Sequence, residues 1–82
     1  MEQEKVIVVL NLIHQKRQLD IEIPLDISVY ELVTALKETF QLPIKAESMY
    51  DCHIRTENPI GFFRGNQILA ECRIMNGTII NV

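Results

Sequence analysis

The stretch ISVYELVTALKETFQLP, residues 27–43, carries the clearest structural signal in this chain. Ser28 and Glu31 have the spacing of a capping box, in which the Ser side chain accepts a hydrogen bond from a backbone N–H of the first helical turn. The apolar residues that follow recur at helical spacing and form one stripe: Val29, Leu32, Val33, Leu36 and Phe40. Pro43 ends the pattern, because a residue that precedes proline disfavours the α region. The stretch therefore predicts one amphipathic helix over residues 29–41, with one face to bury.

Two strand patterns precede this helix. Residues 5–14, KVIVVLNLIH, are rich in β-branched side chains and apolar on both faces, which is typical of a central strand or of a strand whose outer face is also covered. Residues 17–25, RQLDIEIPL, alternate between apolar and polar side chains, as a half-buried strand does. Pro24 has no backbone N–H to donate, which favours an edge strand or a strand end. The short polar link between the two patterns predicts a hairpin.

A third strand pattern follows the helix. Tyr50, Cys52 and Ile54 alternate with polar residues, which predicts a strand at residues 50–56 with these three side chains directed into the core. The sequence after it is rich in turn residues and leaves room for a short extended piece at residues 62–63.

The close of the sequence, RIMNGTIINV at residues 73–82, combines a turn with a strand. Its Asn-Gly dipeptide is a strong turn signal. Residues 78–82 are expected to form the last strand, with Ile80 and Val82 directed inward and Ile79 outward. A single helical or 3₁₀ turn is expected shortly before, at residues 69–72.

These elements predict one α+β domain over residues 1–82. A helix with one apolar stripe and a mixed sheet are packed most simply with the helix across one sheet face. The inward side chains are expected to form the core: Val8, Leu10, Leu12, Ile21, Ile23, Leu32, Leu36, Ile54, Ile80 and Val82. The opposite spacing places Ile7, Val9 and Ile13 outward, with Asn11 among them.

Composition and charge point away from nucleic acid and from membranes. The net charge is −3 and the isoelectric point about 5.2, whereas nucleic acids and anionic lipid surfaces select basic proteins. The apolar run at residues 6–13 is too short to span a bilayer, and the acidic start differs from the basic beginning of a signal peptide. We therefore expect a cytoplasmic protein without direct membrane insertion.

The residues that could carry chemistry are poorly placed for it. Cys52 and His53 are neighbours on a predicted strand, so their side chains point to opposite faces and cannot act as nucleophile and base. The Cys and His residues lack the close pairs of a zinc site, and no glycine opens the helix as a phosphate-binding loop would require. We expect no enzyme, no metal and no cofactor, and we expect Cys52 and Cys72 to be buried and reduced.

The element order, the capped helix SVYELVTALKETF, the segment HIRTEN and the close CRIMNGTIINV together resemble the ubiquitin superfold, or β-grasp. More narrowly they resemble the EsaB/YukD-type ubiquitin-like proteins that accompany type VII secretion systems in Gram-positive bacteria. The likeness covers nearly the whole chain. It departs from that family at Asn76-Gly77-Thr78, where the family often has Asn-Gly-Asp. The resemblance implies a mixed sheet of four to five strands with one helix across one face.

The residues at the carboxyl end help to distinguish a ubiquitin-like carrier from a ubiquitin-like adaptor. Ubiquitin and the β-grasp sulfur carriers end in a flexible Gly-Gly tail whose carboxylate an activating enzyme adenylates. Val82 is β-branched and is expected to lie within the sheet, with its carboxylate held there. We therefore expect a non-conjugated adaptor with an accessory or regulatory role in secretion. The alternative is a β-grasp carrier, either a sulfur carrier or a protein modifier, whose Gly-Gly tail is missing.

An adaptor of this kind needs a binding surface, and the outward sheet residues provide a candidate. The resemblance places the first and last strands side by side, which would bring Ile7, Val9 and Ile79 together, with His53 and Arg55 at the rim. Such an apolar patch on a small protein usually marks an interaction surface. The other two possibilities are scattered surface aliphatics without a partner and a homodimer interface.

The resemblance also suggests the kind of partner. It implies a cytoplasmic domain of a membrane component of the secretion machinery, either its pseudokinase-like subunit or its ATPase. A second candidate contact is the Phe pair at residues 62–63, of which one ring is expected at the core edge and the other exposed.

Overall fold

The computed structural model describes residues 4–43, 48 and 50–82. Residues 1–3, part of the acidic start, lie outside this range. The strands and the α-helix follow in the order β1 (Lys5–Leu12), β2 (Arg17–Pro24), α1 (Val29–Phe40), β3 (His53–Glu57), β4 (Gly61–Arg64) and β5 (Ile79–Asn81). Short 3₁₀ turns lie at Ile13–Gln15 and at Leu69–Cys72, the second of them where the sequence predicts it.

The five strands form one mixed sheet in the order β2-β1-β5-β3-β4. β1 pairs antiparallel with β2 and parallel with β5. β3 pairs antiparallel with both β5 and β4. The predicted hairpin of the first two strands is confirmed, and β1 lies inside the sheet, between β2 and β5. Pro24 is the last residue of edge strand β2, where its missing N–H costs no ladder hydrogen bond.

The predicted cap begins α1. The Ser28 Oγ accepts a hydrogen bond from the backbone N–H of Glu31 at 3.0 Å. The Ser28 hydroxyl in turn lies 3.4 Å from Glu31 Oε1, so the Glu side chain contacts the hydroxyl of its cap. The helix ends at Phe40, one residue earlier than predicted, because Gln41 takes the left-handed conformation with φ of 53°. The Leu42 backbone N–H still donates to the Lys37 carbonyl at 3.1 Å.

The core lies between α1 and one face of the sheet. Val29, Leu32, Val33 and Leu36 supply the helix side of it. The strands and the second 3₁₀ turn supply fully buried side chains: Val8, Leu10, Leu12, Ile54, Leu69, Cys72 and Ile80. The predicted core residues are confirmed, with Ile21 and Val82 only partly buried but packed against the cluster.

Two sequence predictions are wrong at strand ends. Tyr50 is not directed inward: it is 80 % exposed, and β3 begins only at His53. The backbone N–H of Asp51 donates to the Ser48 carbonyl in a turn, which ends the alternation before Tyr50 is reached. β1 ends at Leu12 and not at residue 14, because the chain enters a 3₁₀ turn that closes on Lys16 with φ of 51°.

The last strand is held to β1 over the predicted length, although its regular part covers only Ile79–Asn81. The Val9 N–H donates to the Thr78 carbonyl at 2.9 Å. The Val82 N–H donates to the Asn11 carbonyl at 3.1 Å, and the Ile13 N–H donates to the Val82 backbone oxygen at 3.1 Å. Both backbone groups of Val82 are therefore bonded to the chain around β1.

Candidate functional site

We call the sheet face directed away from α1 the outer face. The buried side chains of each strand alternate with those of the outer face. The side chains on it include Ile7, Val9 and Asn11 of β1, Asp20 and Glu22 of β2, Ile79 and Asn81 of β5, His53, Arg55 and Glu57 of β3, and Phe62 and Arg64 of β4. All five residues predicted to bind a partner lie on this face. The pairing register of the strands determines which of these five residues are neighbours.

The structure brings the three predicted aliphatic residues together, and we call them the aliphatic group: Ile7, Val9 and Ile79. Val9 and Ile79 are register partners across the parallel β1–β5 pair. Ile7 lies two residues before Val9 on the same side of β1 and is 51 % exposed. The group forms a small apolar surface in the middle of the sheet.

Acidic residues flank the aliphatic group on both sides. Asp20 and Glu22 of β2 lie opposite Val9 and Ile7 in the register. Glu57 of β3 lies opposite Ile79. Of these carboxylates, Glu22 is 3.9 Å from the Lys5 Nζ in an exposed ion pair. The aliphatic group is therefore rimmed by negative charge.

The Asn-Gly turn fixes the backbone of Ile7. Asn76 Oδ1 accepts a hydrogen bond from the Ile7 N–H at 2.8 Å. The Gly77 N–H donates to the Ile7 carbonyl at 2.9 Å. Gly77 has a φ of 90°, which favours glycine, so the turn residue that the sequence signals is also the one that this contact needs. Both backbone groups of Ile7, the most exposed residue of the aliphatic group, are thus hydrogen bonded to the turn.

His53 and Arg55 lie beside the aliphatic group but not within it. Arg55 is the register partner of Asn81 on one side and of Phe62 on the other. The His53 ring stacks on the Phe62 ring, with centroids 4.9 Å apart and planes 24° from parallel. β4 lies outside β3, so Phe62 and not a residue of β3 forms this edge of the sheet. Phe62 is 51 % exposed and Phe63 packs against the core, as the sequence predicts for the pair.

A pair of side-chain amides separates the aliphatic group from Arg55. Asn11 Nδ2 donates to Asn81 Oδ1 at 2.7 Å between two residues that are also register partners. Sequence alternation places Asn81 on the outer face, but no local signal shows that it lies between Asn11 and Arg55.

Two shallow hollows flank Arg55, and Arg55 and Asn81 line both of them. The first, of about 380 Å³, lies toward the start of β3, and its other walls are Ile13, Asp51, Cys52, His53 and Val82. The second, of about 390 Å³, lies toward the end of β3, and its other walls are Thr56, Glu57, Ile60, Gly61 and Phe62. Apolar and polar side chains line both hollows, and each hollow has one acidic side chain, Asp51 in the first and Glu57 in the second.

The two thiols belong to the buried core, and Cys52 also contributes to the wall of the first hollow. Cys52 and Cys72 are buried and not joined in a disulfide. Burial raises the pKa of both thiols, and the charge of Glu71 raises that of Cys72 further. Cys52 faces inward and His53 outward, so the two do not form a nucleophile–base pair.

Within residues 4–43, 48 and 50–82, no three His, Cys, Asp or Glu side chains group closely enough to hold a metal ion. The α-helix of this part is too short to cross a bilayer.

The fold and its outer face define a ubiquitin-like β-grasp protein: a five-stranded mixed sheet with one α-helix across one face and an open face opposite. Residues 7–82 match the family described as the WXG100 protein secretion system (Wss) protein YukD. The chain belongs to this family. The resemblance drawn from the sequence is confirmed.

Solved structures support the fold. A ubiquitin-like domain from tubulin-binding cofactor B is 15 % identical, with a TM-score of 0.75 over 98 % of this chain and 89 % of that one. The C-terminal ubiquitin-like domain of mouse tubulin-specific chaperone e is 13 % identical, with a TM-score of 0.72 over 100 % of this chain and 88 % of that one. A designed protein based on ubiquitin is 18 % identical, with a TM-score of 0.66 over 94 % of this chain and 84 % of that one. No curated protein matches the chain.

Proposed function

We propose that this protein is a non-conjugated ubiquitin-like adaptor, an accessory or regulatory component of its secretion system that acts by binding another protein. The observation that supports this most is the aliphatic group on the outer face. Ile7 is a large aliphatic residue that is 51 % exposed while its backbone is fixed by the Asn76-Gly77 turn. A preformed apolar contact of this kind costs little ordering when a partner binds.

The proposed partner is a cytoplasmic domain of a membrane component of the secretion machinery, either a pseudokinase-like subunit or the ATPase. In this proposal the protein is cytoplasmic and reaches the inner face of the membrane only through that partner. A surface of this size would support an interface of about 1,600 Å² or less. The acidic rim of Asp20, Glu22 and Glu57 would favour basic side chains on the partner around its apolar centre.

The alternative is a β-grasp carrier, either a sulfur carrier or a protein modifier, which hands over a glycine-ended segment that is free of the sheet. Val82 itself is bonded into the sheet, since both of its backbone groups are hydrogen bonded to the chain around β1. Intact mass after incubation with ATP and the producing organism's activating enzymes tests the alternative. A stable mass gain at the carboxyl end would replace the adaptor proposal.

The adaptor proposal is tested by substituting Ile7 with Asp. The immobilised protein is incubated with detergent-solubilised membranes of the producing bacterium, and captured proteins are identified by mass spectrometry. We expect Ile7→Asp to weaken capture of the membrane component by about tenfold or more, because a charge would be desolvated at the centre of the contact. Because Ile7 is half exposed, the free energy of unfolding should fall by only about 1 kcal/mol, which includes the repulsion from Glu22 opposite it.

The matched control is Ala35→Asp, which adds the same charge to the exposed side of α1, across the sheet. It should leave capture unchanged and cost about 0.5 kcal/mol of helix propensity. If Ile7→Asp captures the membrane component as well as the unchanged protein does, the aliphatic group is not the binding surface. A homodimer gives a different result: Ile7→Asp would then halve the molecular mass measured by light scattering.

A further inference from the structure

Arg55 and Asn81 present unused hydrogen-bond donors at the same place on the outer face. They are register partners across β3 and β5. Asn81 Oδ1 accepts from Asn11 Nδ2 at 2.7 Å, which leaves Asn81 Nδ2 as the donor not used by this bond. The Asn81 Nδ2 group and the Arg55 guanidinium make no hydrogen bond or ion pair with any residue in the ranges 4–43, 48 and 50–82. Adjacent donors of this kind, one of them charged, suit a carboxylate.

The two hollows lie on either side of these donors along β3. His53 lines the first hollow and Glu57 the second, and these residues lie two before and two after Arg55 on the same face of the strand. Side chains two residues apart on a strand are spaced by about 6.7 Å. An extended segment laid along β3 would therefore place three successive same-face side chains over the first hollow, over Arg55 and over the second hollow.

We propose that Arg55 and Asn81 bind the side-chain carboxylate of an Asp or Glu in an extended partner segment, with apolar side chains two residues before and after it seated in the flanking hollows. This rests on the proposed function in that it assumes a protein partner on the outer face. It adds a second contact beside the aliphatic group. It also defines a five-residue pattern for the partner segment, in which the first and last residues are apolar, the middle residue is acidic and the other two are unrestricted.

The surrounding charges favour a single acid in the middle of such a segment. Asp51 lines the first hollow and Glu57 the second, and each would repel further carboxylates there. Arg64 lies opposite His53 on β4 and adds positive charge on the Arg55 side of the face. A run of acidic residues is thus a poorer match than one acid between apolar neighbours. A basic residue in the middle is repelled by Arg55.

The probe is a terminally blocked peptide with the sequence Leu-Ser-Glu-Ser-Leu, titrated into isotope-labelled protein and followed by NMR at low ionic strength. We expect chemical-shift changes at the Asn81 side-chain amide, the Arg55 Nε–H and the residues of both hollows. Replacing the central Glu of the peptide by Gln should weaken binding by about tenfold, because a charge-assisted hydrogen bond is lost. A second peptide with a free C-terminal carboxylate and a central Gln tests the other source of a carboxylate.

Two protein variants test the donors separately. Arg55→Gln removes the charge, and Asn81→Leu removes the amide donor without adding a charge, at the loss of the hydrogen bond from Asn11 Nδ2. Each should abolish the preference for Glu over Gln. Arg17→Gln on edge strand β2 removes the same charge at a distance and should leave binding unchanged. All variants are first checked for native amide spectra.

The proposal is overturned if the Glu and Gln peptides bind equally, if only the peptide with the free carboxyl end binds, if no peptide shifts these residues at millimolar concentration, or if Arg17→Gln weakens binding as much as Arg55→Gln. None of these results affects the capture of a membrane component through Ile7. Conversely, if the protein fails to capture a membrane component, the peptide titration still tests carboxylate binding at Arg55 and Asn81.

Discussion

At the scale of single residues, the Asn76-Gly77 turn connects local conformation to the candidate surface. Gly77 adopts a φ of 90°, which a residue with a side chain reaches only with strain. In this conformation its N–H reaches the Ile7 carbonyl, while the Asn76 side chain reaches the Ile7 N–H. The turn that leads into β5 therefore also holds the backbone of Ile7, the first residue of the aliphatic group, in place.

The two thiols show how burial controls reactivity at the same scale. Cys52 and Cys72 are 3 % and 1 % exposed, and burial raises the pKa of each thiol, so thiolate is scarce in the folded state. We predict slow labelling of both by a thiol reagent at pH of about 8 and fast labelling in guanidinium chloride. Absorbance of the released chromophore measures both rates. Rapid labelling of two thiols in the native protein would contradict the inward placement of these residues.

At the scale of the element, the position of α1 depends on the hydrogen bonds that the backbone N–H groups of its first turn donate. The Ser28 hydroxyl accepts the Glu31 N–H, while the Val29 and Tyr30 N–H groups donate to the Gln67 and Gly65 carbonyls. The start of the helix is thus bonded both to its own cap and to the loop after β4. This second connection explains how a helix of 12 residues, marginal in isolation, keeps a fixed position over the sheet.

We predict that Ser28→Ala destabilises the protein by about 1 kcal/mol, because the Glu31 N–H loses its acceptor. For a domain of this size that corresponds to a fall in melting temperature of about 4–8 °C. Thermal unfolding followed by circular dichroism measures it. Ser28→Thr is the control, since it keeps the hydroxyl and should recover most of the loss. An equal loss in both variants would show that packing around Ser28, and not the cap, matters.

At the scale of the whole molecule, stability depends on one small core shared by α1 and the sheet. Leu36 is 6 % exposed and lies at the centre of the helix stripe. A domain of this length buries only about 60–65 % of the surface that its unfolded chain exposes. Its total stability is therefore modest, and a single core truncation removes much of it.

We predict that Leu36→Ala lowers the free energy of unfolding by about 2–5 kcal/mol, through lost burial and the cavity left behind. Urea denaturation measures the change, and a constant slope with denaturant would show that the folded state is otherwise unchanged. Glu38→Ala, at an exposed position of the same helix, should change stability by only about 0.5 kcal/mol. Similar values for the two variants would mean that the stripe is not the buried face.

The errors of the sequence interpretation lie where a pattern continues past the element that produced it. Tyr50 fits the alternation of Cys52 and Ile54, yet the Asp51–Ser48 turn bond ends the strand before it. In the same way Ile13 continues the apolar run of β1 but lies in a 3₁₀ turn, 54 % exposed. Periodicity shows which face a residue would take if the strand continued. It does not show where backbone hydrogen bonds stop the strand.

Within the strands and the helix, away from their ends, the sequence by itself determined the capped helix and the side of the sheet on which a side chain lies, because helical spacing and strand alternation are local properties of neighbouring residues. Only the tertiary structure decided which outer-face residues are neighbours. It placed Glu57 and not Arg55 opposite Ile79, and it placed Arg55 beside Asn81. These pairs join residues more than 20 positions apart, and their register follows from how β3 docks on β5 once the whole core is packed.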